Sequence, residues 1–537
     1  MKEMYNEPTK TNEAMKKTMK KFLSMAALAL VGAVMTGCSS DDLANNQQPA
    51  NKNNVVTLTT TVNLGGDGTR ALTIDGNKGV KTFGEGDKIA VIYKDTDGNT
   101  QKAESEALTE GGGSSATFTV TLTDPKAEGA VRYIYPAAMA AATVATSTAV
   151  TDDATINYAA LASQDGTLTT LASKYDLAVF DGSLTSGATL PASSTLANQL
   201  AILAYTIKNA GGTSDLTGSI TRVTVSDGPN TYGVTRTAAD GPVYIAIRPT
   251  SDATISIMAT TGTTTYTKSL ASKTYAANNI YKAGLMMTEV PDAIPGMFST
   301  SSSGGKVYFS KGNLQAKIAS YSSNAATASE WKFADSQYSY IGNAAGNNSF
   351  AVGTWVDLFC WVGASADNNT YGLITFTSSS QANHGNVSGE SLKTDWGTAA
   401  ASSIGTGWRT LSKDEWVYLF NTRTVNNGTG SGRSYTLGQK VNNVLGVVLY
   451  PDDYTGSTYS GSNWADFENA GCVFLPAAGN RDGTSVSNVG SYGYYWSSTA
   501  NGTGSAFDVN FNSGYVGPAS YGNRYYGFSV RLVRPVE

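Results

Sequence analysis

Histidine is almost absent from this chain of 537 residues, because His384 is the only one. The Ser-His-Asp triad depends on a histidine held beside its nucleophile, and the usual zinc sites draw on several histidines. With so little histidine, we set aside both triad catalysis and histidine-based zinc sites.

Cysteine is nearly as scarce, since the whole chain has only Cys38, Cys360 and Cys472. These are too few for the disulfide framework that stabilises many small exported domains. Cys360 and Cys472 each lie in an apolar run, which predicts two buried thiols, and a bridge between them is the alternative. The folded part of the chain must therefore depend on its hydrophobic cores.

Charge is the third shortage, since charged residues make up 15% of the chain, against about a quarter in typical globular domains. The net charge of -5 and the pI near 5.2 offer no basic surface, so nucleic acid is not an expected partner. Glycine (57 residues) and tyrosine (29 residues) are abundant instead. This balance favours strands and turns, and it predicts a mainly β protein of about three domains.

The N-terminus has the order of a secretory signal that ends in a lipobox. Lysines between residues 16 and 21 precede an apolar stretch at residues 22–34, and Met-Thr-Gly-Cys follows at residues 35–38. The alternative is a short transmembrane anchor, but the apolar stretch is shorter than the roughly 20 residues that span a bilayer. We predict a signal peptide at residues 1–37, and Met15 and Met19 are alternative true starts.

The Cys38 thiol is the predicted lipidation site of a palmitate-bearing lipoprotein, and cleavage before Cys38 would leave this residue as the new N-terminus. Residues 38–53 are polar and predict a disordered tether. Within them, residues 39–42 (Ser-Ser-Asp-Asp) resemble the export signal of Bacteroides lipoproteins, which implies display on the outer face of the outer membrane. An ordinary polar tether is the alternative.

Alternating apolar and polar residues predict a series of strands after the tether. In the first strand Val56, Leu58, Val62 and Leu64 share one face. The predicted strands are residues 55–64, 89–93, 116–122, 131–135, 200–208, 220–226, 243–248, 253–259 and 280–287. We assign them to two antiparallel β-sandwiches, at residues 54–190 and 191–290, followed by a linker at residues 291–296.

Several short segments resemble the fimbrillin-like surface proteins of Bacteroidales. They are residues 54–72, 83–87, 133–136, 199–202 and 241–249. The resemblance implies two transthyretin-like β-sandwich domains and a role in a fimbrium or pilus. It also implies proteolytic processing after Arg70, with other fimbrial subunits as strand-exchange partners. Arg70 as an ordinary turn residue is the alternative.

Residues 297–537 differ in texture, being rich in tryptophan, tyrosine, glycine and asparagine. One helix is well signalled there, with Ser412 as its N-cap and Glu415 closing a capping box. Leu411 and Trp416 are placed to form a hydrophobic staple. Trp416, Leu419 and Phe420 should form the buried stripe of this helix.

Four segments of this region resemble C-type lectin fold domains, which implies an α+β C-type-lectin-like domain. They are residues 408–416, 473–479, 494–498 and 527–534. The relatives include formylglycine-generating sulfatase modifiers, whose chemistry requires a reactive cysteine pair near the C-terminal core strands. No cysteine follows Cys472, so we expect no enzyme activity and no cofactor.

Calcium-dependent sugar binding also lacks its usual signature here, since neither a Glu-Pro-Asn nor a Trp-Asn-Asp triplet occurs. Asp452, Asp453 and Asp466 could bind a cation. Solvated turn residues are the interpretation that we favour, and no metal site is predicted.

The segment between Ser497 and Gly527 has the Ser, Asn, Gly and Tyr content of adaptable binding surfaces. Phe507, Val509 and Phe511 should face the core, and the residues between them should face solvent. The candidate ligand-binding residues are Asp508, Asn510, Asn512, Tyr515, Tyr521, Asn523, Tyr525 and Tyr526. A polar sheet without any ligand is the alternative.

Together the lipobox pattern and these resemblances imply a lipid-anchored cell-surface adhesin at a fimbrial tip, with cell adhesion through the C-terminal domain. Its ligand would be a glycan or a protein of host or bacterial origin. Two alternatives are a stand-alone surface lipoprotein that binds glycans and a structural pilus subunit with a non-binding cap domain.

Overall fold

The computed structural model describes residues 54–64, 73–75, 78–80, 82–111, 113–236, 241–322, 325–349, 351–364, 374, 390–425 and 434–536. All of them belong to the unit Asn53–Glu537. Their secondary structure is mainly β, as predicted. Cys38, Arg70 and His384 lie outside the described residues, so what was inferred for them stays a prediction. Within the described ranges, no helix has both the length and the apolar character needed to cross a membrane.

The first sheet has seven strands in the order β5-β4-β7-β8-β9-β1-β6. Along the chain, the strands of this part are β1 (Val55–Leu64), β2 (Thr73–Asp75), β3 (Lys78–Val80), β4 (Ala90–Lys94), β5 (Thr100–Glu104), β6 (Ser115–Thr123), β7 (Gly129–Tyr135), β8 (Ala178–Leu184) and β9 (Ser193–Asn198). The short hairpin β2–β3 stands apart. A bridge between Ser105 and Val120 brings the two ends of the sheet together. The sheet therefore curls around a core.

Strand β1 follows the alternation of apolar and polar residues in its sequence. Val62 and Leu64 are buried, and Leu58 packs against the same core. Thr57 and Thr59 are exposed, as the alternation predicted. Strand β1 pairs antiparallel with β6 and parallel with β9, so it lies between two strands that are distant from it in sequence.

The second sheet also has seven strands, in the order β12-β11-β14-β15-β16-β10-β13. Its strands are β10 (Ala201–Asn209), β11 (Arg222–Ser226), β12 (Thr231–Thr235), β13 (Val243–Ile247), β14 (Thr250–Thr260), β15 (Thr265–Tyr275) and β16 (Ile280–Val290). Strands β10 and β16 run parallel, and the other neighbouring pairs are antiparallel. The strands predicted for both sheets are confirmed to within three residues at each end.

The two sheets share one core. Ile92 of β4 and Ile134 of β7 belong to the same apolar cluster as Ile245 of the second sheet. Short helical turns after β7 fill the space between the sheets, and Leu161 and Leu171 are buried there. These turns are Ala137–Met139, Asp153–Thr155, Tyr158–Ala162, α1 (Leu168–Thr170) and Leu171–Tyr175, with Thr217–Ser219 in the second sheet.

The boundary placed at residue 190 needs correction, because β9 pairs with β8 and β1 and so belongs to the first sheet. The first sheet ends at Asn198, and the second begins at Ala201. The pattern of apolar residues gave no sign of this, since β9 carries only small and polar residues apart from Leu196.

The remaining chain, residues 296–536, is called the C-terminal region below. Its strands fall into several small sheets of two or three strands. They are β17 (Phe298–Ser299), β18 (Lys306–Phe309), β19 (Leu314–Ser322), β20 (Ala325–Phe333), β21 (Trp355–Val356), β22 (Tyr435–Val441), β23 (Val444–Leu449), β24 (Val473–Pro476), β25 (Asn480–Asp482), β26 (Ser485–Ser487), β27 (Gly493–Asn501), β28 (Ser505–Phe511), β29 (Val516–Asn523) and β30 (Val533–Pro535). Its helices are α2 (Ala345–Asn348), α3 (Trp396–Ala399), α4 (Ala401–Ile404), α5 (Lys413–Val417), the π-helical turn Tyr418–Thr422 and α6 (Trp464–Asn469).

Helix α5 begins as the sequence predicted. Ser412 is its N-cap and accepts a hydrogen bond from the backbone N–H of Glu415, whose carboxylate accepts one from the Ser412 backbone N–H. Leu411 and Trp416 are both fully buried in one apolar cluster, which fits the predicted staple. Leu419 and Phe420 are buried beside them.

The segment predicted as a linker is packed against its surroundings. Ile294 is buried, and its backbone N–H donates to the carbonyl of Phe309. At Gly296 a side chain would run into the backbone of Gly471, so the close approach of these two glycines requires the absence of a Cβ atom. Residues 291–296 are therefore not a free linker, because they contact the C-terminal region through Phe309 and Gly471.

Cys360 and Cys472 are both buried, and no disulfide joins them. The prediction of buried thiols is thus confirmed. Burial raises the pKa of the Cys472 thiol well above its ordinary value, so it stays protonated and unreactive.

Candidate functional site

The predicted ligand-binding residues lie on or next to a three-stranded sheet, β27–β28–β29. Helix α5 packs against all three of these strands. Tyr521 of β29 and Tyr515, in the turn between β28 and β29, are 64% and 56% exposed. Asn510, Asn512, Asn523, Tyr525 and Tyr526 are partly exposed. Seven of the eight predicted residues can therefore meet a ligand, whereas Asp508 is buried at 1% exposure.

The expectation that Asp508 faces solvent is wrong. Its carboxyl atom Oδ1 has no hydrogen-bond partner among the described residues. Burial raises the pKa of Asp508 to about 8, so the carboxyl is protonated at neutral pH. We remove Asp508 from the candidate ligand-binding surface.

The burial of Asp508 follows from how β28 is covered. Val509 and Phe511 pack into one apolar cluster, as predicted, while Ala506 belongs to a second cluster with Trp496 and Phe528. Both faces of β28 are therefore covered, so alternation along the strand does not separate core from solvent. The pairing of β28 with β29 is also interrupted between Asp508 and Asn510 by a bulge or irregularity.

Phe507 is the second departure from the predicted pattern, because it is partly exposed. It lies directly opposite Tyr521 in the strand register. The ammonium group of Lys413, in α5, lies 5.3 Å from the centre of the Phe507 ring. Phe507, Tyr521 and Lys413 thus form an aromatic patch with a cation at its edge.

A second group of aromatic rings lies at the end of β29. The side-chain amide of Asn523 donates to the hydroxyl of Tyr525 over 2.7 Å, and the rings of Tyr525 and Tyr526 meet edge to face with centres 4.9 Å apart. Tyr526 in turn leans on buried Phe528, with ring centres 5.9 Å apart. These contacts hold three of the candidate residues in defined positions.

Arg524, which the sequence analysis missed, fixes the loops under this surface. It is 1% exposed and donates to the backbone carbonyls of Ser505 and Gly502 and, over 2.5 Å, to the carboxylate of Glu390. Its guanidinium also lies 4.5 Å from the centre of the Trp361 ring. A single arginine within an otherwise uncharged Asn and Tyr segment was the available signal.

The three aspartates considered as a cation site do not come together. Asp466 is exposed in the first turn of α6, as expected of a solvated residue. Asp452 and Asp453 are not solvated, which corrects the prediction: each is buried against cationic side chains. In the described part of the chain, no group of His, Cys, Asp and Glu side chains could hold a metal ion.

Asp453 connects the C-terminal region to the second sheet. Its Oδ2 accepts hydrogen bonds from Nη2 of Arg222 over 2.5 Å and from the Thr224 hydroxyl over 2.9 Å, both on β11. Gly233 of β12 lies so close to this carboxylate that a Cβ atom there would be 2.7 Å from Oδ2. The pair Arg222–Asp453 is thus enclosed by both parts of the molecule.

Comparison with known proteins adds little about function. A family model described as a domain of unknown function (DUF8237) matches residues 460–533. No curated protein matches the chain. A fimbrial assembly protein from Parabacteroides distasonis is similar at 13% identity and a TM-score of 0.25, over 48% of this chain and 96% of its own. A fimbrial protein from Bacteroides ovatus is similar at 12% identity and a TM-score of 0.23, over 89% of this chain and 99% of its own.

Because these identities and TM-scores are low, the function of the chain must be argued from its own residues. The DUF8237 match does include all of the candidate ligand-binding surface, from Asn510 to Tyr526.

Proposed function

We propose that this chain is a lipid-anchored adhesin of the bacterial outer membrane that binds a surface ligand through the β27–β28–β29 sheet. The observation that carries the proposal is the exposure of Tyr515 and Tyr521 on or next to a sheet whose β28 is anchored in two apolar clusters. The protein would act by binding rather than by catalysis.

The physical argument rests on rigidity. Tyrosine offers a large contact area with a hydroxyl at its end and loses little side-chain entropy on binding. Here Arg524 and Phe528 fix the sheet from beneath, while Asn512 and Asn523 provide hydrogen-bonding groups beside the rings. A ligand with both apolar and hydroxyl groups, such as a glycan, would suit this surface.

The test compares two variants of the full chain, because Asp453 contacts Arg222 and the C-terminal region is not independent of the second sheet. Tyr521→Ala with Tyr525→Ala should reduce binding to cells or to a glycan array by about tenfold or more, as loss of contact residues at a binding hot spot does. The control is Tyr321→Ala, an exposed tyrosine (44%) on β19. Equal binding by both folded variants would show that the ligand binds elsewhere.

We also propose that the chain assembles into a fimbria, at its tip. Assembly would require cleavage after Arg70 and exchange of β1 for a strand of another subunit. The support is that β1 lies between β6 and β9 in the first sheet and contributes Val62 and Leu64 to the core. A donated strand would restore those main-chain hydrogen bonds and fill the same pockets. N-terminal sequencing of the chain from purified fimbriae should give Ala71, and an intact N-terminus at Cys38 would contradict the proposal.

For anchoring, Cys38→Ala should abolish palmitate labelling and surface display. Label that persists in this variant would place the lipid on another residue.

A further inference from the structure

A cleft lies where the second sheet meets the C-terminal region, away from the candidate ligand-binding surface. It has a volume of about 250 Å³. We call it the junction cleft. Its lining residues are Pro229, Thr231, Ser299, Lys306, Tyr418, Thr422, Arg423, Thr424 and Asp452.

Two cations share one carboxylate in the wall of this cleft. Lys306 donates to Asp452 Oδ2 over 2.7 Å, and Arg423 donates to Oδ1 of the same residue over 2.9 Å. The three side chains are 6%, 3% and 10% exposed, in the order Lys306, Arg423 and Asp452. The two cations hold the pKa of Asp452 at about 2 despite its burial, so its charge is present at every physiological pH.

One negative charge against two positive charges leaves a net charge of +1 on side chains that are at most 10% exposed. Arg423 also has unused donors, because its Nε and Nη2 atoms have no hydrogen-bond partner among the described residues. Nη1 donates to the Tyr450 carbonyl and to Asp452. Burying a guanidinium with unused donors is unfavourable, and an anion beside it would offset that penalty.

The rest of the lining is rich in hydroxyl groups. Ser299 donates its hydroxyl to Asp452 and accepts a hydrogen bond from Lys306, so it is already engaged. Thr422 and Thr424 are exposed at the rim, and Thr231 and Tyr418 are partly exposed. Hydroxyls arranged around a positive centre complement a ring that carries both hydroxyl groups and an acidic group.

We propose that the junction cleft binds a saccharide unit that carries a carboxylate or sulfate group. The acidic group would lie beside Lys306 and Arg423, and the sugar hydroxyls would meet the threonine and tyrosine hydroxyls of the rim. Because the volume lies below the range of about 300–1,000 Å³ typical of drug-sized ligands, the cleft accommodates one sugar unit rather than an oligosaccharide. This site is separate from the surface around Tyr521 and does not depend on the function proposed for it.

The first test uses the purified full chain and single sugars, with binding followed by ligand-observed NMR. N-acetylneuraminic acid and glucuronic acid are the carboxylate probes, and galactose 6-sulfate is the sulfate probe. Their neutral counterparts are the methyl esters of the two acids and galactose. Saturable binding of at least one acidic probe, about tenfold tighter than its neutral counterpart, is expected. Equal binding of acidic and neutral sugars, or binding of none of the acidic probes, overturns the proposal.

The second test assigns the binding to this cleft. Arg423→Lys keeps the positive charge but loses the planar guanidinium with its paired donors. It should weaken the binding of the acidic probe by about tenfold. Tyr418→Phe and Thr424→Val leave the ion pairs intact and should each weaken binding by about threefold. A threefold change corresponds to roughly half of the binding free energy of a tenfold change. The matched control is Lys317→Gln, because Lys317 forms an exposed ion pair with Glu330 on another sheet. If Tyr418→Phe and Thr424→Val fold normally and bind like the parent, the cleft is not the site.

Discussion

The two seven-stranded sheets and the C-terminal region bury their polar groups in different ways. In each of these sheets, seven neighbouring strands pair their backbone groups with one another, and the core that the two sheets share is apolar. The C-terminal region divides its strands among small sheets of two or three strands, and buried arginines lie among them: Arg423, Arg481, Arg524 and Arg531. Backbone carbonyls that no strand pairs must find another partner, and arginine provides several donors at once.

Arg531 illustrates this arrangement. It is fully buried and donates to the side chains of Asn313 and Gln337 and to the carbonyl of Phe474, which are all neutral groups. Burial lowers the pKa of Arg531 to about 10, so it remains charged at neutral pH. A region divided into small sheets can therefore be ordered by buried hydrogen-bond donors, and removing one of them should lower its stability strongly.

The largest effect should follow from breaking the pair that joins the two parts. Arg222→Met leaves the Asp453 carboxylate buried without its cation, and we expect a loss of about 3–5 kcal/mol in the free energy of unfolding, measured by urea denaturation.

Two further variants serve as controls for Arg222→Met. Arg248→Met removes a partly exposed ion pair with Asp153 and should change stability by about 1 kcal/mol or less. The double variant Arg222→Met with Asp453→Leu should regain most of the loss, since no buried charge remains. A double variant as unstable as the single one would contradict the role given to the pair.

The next effect concerns Asp508 and depends on pH. Its folded-state pKa of about 8 lies above the unfolded value, so the folded state keeps a proton that the unfolded state has lost. Stability contributed by this group therefore falls as the pH rises from about 4 to 8. Asp508→Asn should remove that dependence and exceed the parent protein by roughly 2–4 kcal/mol at pH 8, with little difference at pH 4.

Thermal unfolding of Asp508→Asn and the parent at pH 4, 6 and 8 checks this prediction. If the difference in melting temperature between the variant and the parent were the same at all three pH values, Asp508 would not have a raised pKa.

A smaller effect is expected at the cap of α5. Ser412→Ala removes the hydroxyl that accepts from the Glu415 N–H and should cost about 1 kcal/mol. Ser412→Asp should restore most of this, because aspartate caps a helix as well as serine does. A loss shared equally by both variants would point to a contact other than the cap.

The smallest effect should be at the exposed tyrosine. Tyr521→Ala should change the free energy of unfolding by less than about 0.5 kcal/mol, since the ring is 64% exposed. A clearly larger loss would show that the ring supports the sheet instead of being free for a ligand.

Local signals explain what the sequence predicted well. The alternation in β1 and the capping box of α5 depend on residues within a few positions of each other, and both appear in the structure as expected. The exposure of seven candidate residues also agrees with the local Asn and Tyr content, while their role in binding a ligand stays a prediction.

Distant partners explain the errors. Asp452 meets Lys306 from a position 146 residues away, and Asp453 meets Arg222 from 231 residues away, so neither burial could be read locally. Asp508 is buried because a second apolar cluster covers the other face of β28. Strand β9 was missed because its place beside β1 is set by pairing and not by its own composition.

The pairing of β18 with β30 has a consequence for how the chain acquires its structure. Residues 307–309 pair with residues 533–535, so the strand near the beginning of the C-terminal region has this partner only after almost all of that region has been made. Contacts between such distant residues slow folding, because the loop must close before any pairing stabilises it. During synthesis, therefore, the C-terminal region should remain unfolded until strand β30 has been made, whereas the two sheets before it can already be complete.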